Sequence, residues 1–164
     1  MRFLTTSTFD SNEIAGCTPA AVGFGDPPGP KLRSVTWASA MHEIESILSW
    51  VITHGGVYVT FEVRSRQNRY VQARSTDDGR VFIETTGDAF TTEEPYDIAE
   101  LGSLLQLGWR PETLRDDTPN WWREADPRWF YAQPMMAELM VRTLVEIHGA
   151  NGPADIGIVH GAFE

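Results

Sequence analysis

A chain of 164 residues falls in the size range of one domain, and folding at that length removes roughly two thirds of the unfolded surface from water, so no disulfide or metal staple is needed to hold a core. Thirteen basic against twenty-three acidic side chains give a formal charge of -10 with the arginines scattered from Arg2 to Arg142, which argues against nucleic acid or an anionic membrane as partner and favours basic or amphipathic polypeptides. Cys17 is the single cysteine, which rules out an internal disulfide; without a signal-peptide pattern or a run of about twenty apolar residues, the expected location is cytoplasmic.

In chain order, residues 1–33 read as an N-terminal arm, rich in Thr, Ser, Gly and Pro and closing in Gly25-Asp26-Pro27-Pro28-Gly29-Pro30. The alternation of Phe3, Thr5, Ser7 and Phe9 suits a short edge strand or a mobile tail. A single α+β domain is expected over residues 34–164. Trp37, Met41, Ile44, Leu48 and Val51 recur at helical spacing after Ser34, and His54-Gly55-Gly56 supplies the stop. Val57, Val59, Phe61 and Val63 then alternate with polar residues as a strand. Tyr70-Val71-Gln72-Ala73 makes a second strand and Val81 to Thr85 a third, with Asp77-Asp78-Gly79 as the hairpin signal between them. The three strands predict an antiparallel meander with one face on the first helix.

Asp97 and Glu100 have capping-box spacing, and Ile98, Leu101, Leu104 and Leu105 form a short apolar helix that Gly108 ends. Trp109 to Asp126 reads as a loop by composition although it holds Trp121 and Trp122. A long helix follows, with Pro134 in its first turn and Met136, Leu139, Met140, Thr143, Leu144 and Ile147 as its apolar stripe. Ile156, Ile158 and Val159 add at most a last short strand.

No catalytic site is legible. His42-Glu43-Ile44-Glu45-Ser46 begins like the helical zinc signature but has Ser46 where the second His is required. No nucleophile elbow, phosphate loop or dinucleotide fingerprint occurs, and Cys17 has no basic neighbour to activate it. No metal site and no cofactor are expected. Carboxylates such as Glu62, Glu84, Asp116 and Asp117 are abundant, and in so acidic a chain solvated carboxylates outweigh an acid-base pair. Trp109, Trp121, Trp122, Trp129, Phe130 and Tyr131 cluster around one polar loop, where each ring either caps the core or meets a partner.

Four words in this order carry a resemblance: Tyr70-Val71-Gln72, Leu107-Gly108-Trp109-Arg110-Pro111, Pro119-Asn120-Trp121-Trp122 and Arg142-Thr143-Leu144. Together they resemble the TY-Chap domain, a bacterial family grouped with type III secretion chaperones and YbjN-like proteins as peptide-binding chaperones, over about Ser34 to Gly149. The resemblance implies a secretion-chaperone-like α+β fold, no cofactor, no catalytic residue, a client polypeptide as partner, and room for a homodimer. The expected function is therefore a non-catalytic chaperone or adaptor, linked to secretion through that family. Tyr58, Tyr70, Gln72, Trp121 and Trp122 are the candidate peptide contacts, and Gly108, Trp109 and Asn120 the structural motif. Two other classes stay open: a small hydrolase or metal enzyme built from dispersed His and carboxylates, and an acidic immunity-type or structural protein that neutralises a basic partner.

Overall fold

A computed structural model describes residues 26–76, 78–87, 91, 94–111 and 119–163. The expectations for Cys17, for the Phe3 to Phe9 stretch, for Asp77 in the hairpin and for Asp116 and Asp117 lie outside these residues.

Helix α1 (Trp37–His54) starts at Thr36, whose hydroxyl accepts from the Ser39 amide while Ser39 answers in a reciprocal capping box. The Glu43 carboxylate accepts from both the Arg33 and Ser34 amides and from Ser34 Oγ, tying the incoming chain to the second turn of the helix. Ala40, Ile44, Leu48 and Val51 form its buried stripe, and Gly55 leaves it at a positive φ.

Strands β1 (Val57–Val63), β2 (Tyr70–Ser75) and β3 (Val81–Thr85) alternate as their sequences require, with Val59, Phe61, Val71, Ala73, Val81 and Ile83 in the core. The sheet, however, has five antiparallel strands in the order β4-β3-β2-β1-β5 rather than three. The expected Trp-containing loop is corrected here: Trp121–Ala125 is strand β4, paired along the whole of β3. Pro119 and Asn120 mark only the approach to it, whereas the two indoles suit a pleated, buried surface and Arg110 extends the pairing through a bridge to Trp122. The last strand, β5 (Ile156–Ala162), runs the full length of β1. At its outer side Lys31 bridges Gly157 and Leu32 is buried in the core.

Helix α2 (Ile98–Leu107) is capped reciprocally by Asp97 and Glu100, buries Leu104, and leaves Ile98 and Leu105 in solvent. Gly108 closes it at φ +90, and a Cβ there would collide with the Arg123 guanidinium, whose Nη1 donates to the Gly108 carbonyl at 2.9 Å. That contact fastens the end of α2 to β4. The expected long helix is α3 (Ala132–Arg142) followed by a π-helical turn, Thr143–Ile147. Thr143 Oγ1 donates to the Leu139 carbonyl and accepts from Trp109 Nε1 at 2.9 Å, an exchange of partners located where the backbone widens. Helices α1 and α3 pack on each other over one face of the sheet. Among the described residues no helix is long and apolar enough to cross a membrane.

Candidate functional site

The sheet face opposite the helices carries Tyr58, Thr60 and Glu62 of β1, Tyr70, Gln72 and Arg74 of β2, Phe82 and Glu84 of β3, and Trp122 of β4, because register places these residues opposite one another. Thr60 Oγ1 donates to Gln72 Oε1 at 2.7 Å and Gln72 Nε2 donates to Glu84 Oε2 at 3.4 Å, a polar rung across three strands. Beside it the Phe82 and Trp122 rings stack 5.9 Å apart, with Arg74 over Phe82 and Arg110 over Trp122.

Of the candidate contacts, Tyr58, Tyr70 and Gln72 are half-buried on this face. Tyr58 packs on Phe163 with ring centroids 5.2 Å apart, and Gly161 lies so near its ring that any side chain there would clash. Tyr70 donates its hydroxyl to Asn120 Oδ1 at 3.2 Å, and burial pushes its pKa above the ordinary value. Asn120 Oδ1 also accepts from the Gly87 amide at 3.1 Å, so one side chain joins β2, the exit of β3 and the entry of β4. Trp122 is buried on the same face at 7% exposure, while Trp121, also 7% exposed, points into the helix-side core. Four of the five candidates thus share one surface and Trp121 does not. Trp109, 2% exposed, is a core ring.

The freely exposed rings lie just downstream. The Asp126 carboxylate holds Arg128, which lowers the Asp126 pKa to about 2, and the Asp126 carbonyl accepts from the Trp129 amide at 3.1 Å. A second turn from Trp129 to Ala132 leads into α3. These back-to-back turns direct Trp129, Phe130 and Tyr131 outward at 69%, 86% and 67% exposure, and Met135, one turn into the helix, is 56% exposed. Phe130 and Tyr131 meet edge to face with centroids 4.9 Å apart. Sequence reasoning grouped these rings with Trp121 and Trp122 without separating the two sets. The separating signal is Asp126-Pro127-Arg128, a turn that ends β4 and reverses the chain before the helix.

A third cluster lies at the β1–β2 reversal. His148 is fully buried, with Nε2 2.7 Å from Thr85 Oγ1 and 3.2 Å from the Tyr70 carbonyl; burial, reinforced by the charge of Arg69, lowers its pKa to about 3 and keeps it neutral. Tyr96 stacks beside it and donates to the Thr86 carbonyl, its pKa pushed up to about 12 chiefly by burial. Arg69 lies 4.1 Å above the Tyr96 ring. The other histidines are apart: His42 stands 3.7 Å from Glu45 on the outer side of α1, and His54 and His160 flank the Trp50 ring. Among the described residues no three His, Cys, Asp or Glu side chains are grouped to hold a metal ion.

A family model described as TY-Chap3, T3SS (YopN, CesT) and YbjN peptide-binding chaperone 3, matches residues 34–159. No curated protein and no solved structure matches the chain.

Proposed function

This chain belongs to the TY-Chap3 family, and from that premise we propose that it holds segments of client polypeptides as a chaperone or adaptor, without chemistry of its own. The observation that carries the reading is the exposed set Trp129, Phe130, Tyr131 and Met135 at the start of α3. Rings exposed to water on a short turn supply large contact area, and a thioether one helical turn away adapts to varied clients. The half-buried Tyr58, Tyr70 and Gln72 are a second set of proposed contacts on the sheet face opposite the helices, where Trp122 is buried among them. The acidic surface favours clients with basic residues flanking an apolar stretch. The family's type III secretion members support an exported client, read in the cytoplasm, and two copies of the chain sharing the aromatic surface would account for a homodimer.

The test is selection of displayed random peptides on the immobilised full chain, followed by anisotropy with the recovered peptides. Binding is expected to weaken at least tenfold in Trp129→Ala and Phe130→Ala with the unfolding midpoint unchanged. Recovery of no peptide, or equal binding by both variants, rejects the reading; light scattering with and without peptide reports whether two copies compete for the same rings.

A further inference from the structure

Among the described asparagines only Asn151 is followed by glycine, and it is exposed; Asn120 is buried and precedes Trp121, and Asn68 precedes Arg69. An asparagine side chain is open to attack by the amide nitrogen of the next residue, and that residue's own side chain is what ordinarily hinders the approach. Gly152 has none, and no atom lies within 4 Å of the place its Cβ would take. Its backbone is extended at φ 171 and ψ 171, the conformation favoured before Pro153, and among the described residues its amide donates no hydrogen bond. The nucleophile is therefore both unshielded and unengaged.

The side chain it would attack also holds the fold together. The Asp155 carboxylate accepts from the Ser65 amide at 3.0 Å and Ser65 Oγ at 2.5 Å, and its Oδ2 accepts from the Asn151 amide at 3.2 Å and Asn151 Nδ2 at 3.4 Å. In the next residue, Ile156 pairs with Val63 and β5 begins on β1. Asp155 thus ties the segment before β5 to the turn after β1, and Asn151 supplies two of its four donors. With oxygen in place of Nδ2 that donor is lost, and two carboxylates face each other across the same gap.

We propose that Asn151-Gly152 is a self-modifying site that turns asparagine into aspartate and isoaspartate and thereby releases the entry of β5. The Gly152 nitrogen gives its proton to hydroxide and bonds to Asn151 Cγ; the Cγ–Nδ2 bond breaks, and the nitrogen takes a proton from water and leaves as ammonia. A water molecule then opens the succinimide at either carbonyl, giving aspartate in an ordinary peptide link or isoaspartate linked through its side-chain carbon. Only water is consumed, and each event adds one negative charge. Isoaspartate also lengthens the main chain between the residue-151 amide and Asp155, which changes the reach of their remaining bond.

The test ages the full chain in buffer at neutral and mildly alkaline pH and follows each asparagine by peptide mass spectrometry, with isoaspartyl methyltransferase labelling to separate the two products. Conversion is expected at Asn151 ahead of Asn68 and Asn120, faster at the higher pH, and slowed about tenfold in Gly152→Ala, whose methyl has free space in the fold but obstructs the attack. In the converted fraction, hydrogen exchange at the Ser65 amide should quicken about tenfold, the loss of one hydrogen bond to a charged group, and Asn151→Asp should reproduce this without ageing. Conversion at Asn151 no faster than at Asn68, an equal rate in Gly152→Ala, or conversion only in urea overturns the site. Unchanged exchange at Ser65 in both the converted chain and Asn151→Asp overturns the release of β5.

Discussion

Trp121-Trp122 and Trp129-Phe130-Tyr131 are separated by six residues and have opposite fates. The first pair sits in a strand, where alternation sends one indole to the helix-side core and the other under Arg110 on the far face. The second set sits on two consecutive turns, where no neighbouring strand or helix covers the rings, and all three stay in solvent. Aromatic content alone therefore says nothing about role; what decides is whether the backbone beneath the rings is paired. A ring in the sheet stabilises the fold, and a ring on the turn is available to a partner.

That contrast breaks first at Trp121. Trp121→Ala should cost about 3–5 kcal/mol in urea unfolding, the range for deleting a buried aromatic, and a cost below 1 kcal/mol would show that the indole is not a core element. Next comes pH, because the sealed side also holds His148. Its folded pKa of about 3 lies below the 6.5 of an unperturbed histidine, so between those values the unfolded chain takes up the proton and the native state does not. This contribution is complete above pH 6.5 and is lost as pH falls towards 3, about 2 kcal/mol between pH 6 and 4.5. Unfolding series at those pH values should show a slope that His148→Gln flattens; an unchanged slope would assign it to other groups. Gly108→Ala should cost about 1–3 kcal/mol, since alanine resists φ +90 and its Cβ meets the Arg123 guanidinium that anchors β4. The smallest effect sharpens the contrast from the other side: Trp129→Ala should change stability by less than about 0.5 kcal/mol while weakening peptide binding. A large loss of stability there would place that ring in the fold rather than on the docking surface.

Much of the architecture was legible because local chemistry and tertiary packing agree. The stripe from Trp37 to Val51, the alternation from Val57 to Val63 and the Asp97 to Glu100 capping spacing each specify one element and its buried face. Strand β4 was hidden because Pro119 and Asn120 dominate its approach and its five residues are too few to show alternation. Strand β5 was nearly hidden for a related reason: Gly157 and Gly161 interrupt its apolar pattern, with Gly161 packed directly on the Tyr58 ring and Gly157 close to the Arg64 side chain. The site was read in part. Tyr70 and Gln72 are placed together by period-two spacing, but the burial of Arg69 and His148 depends on contacts from distant segments such as Glu94 and Thr85. No spacing rule reaches across such separations.

The pairing of β5 with β1 has a kinetic consequence. The chain from Arg64 to Asp155 lies between these two neighbours, so their contact closes the longest loop in the sheet and carries the largest entropic barrier. During synthesis the helix and the first three strands can assemble while one margin of β1 still lacks its partner, a row of open backbone groups able to recruit another nascent chain. Refolding should therefore slow with concentration as intermolecular pairing competes, and shortening the chain before Ile156 would make that competition permanent.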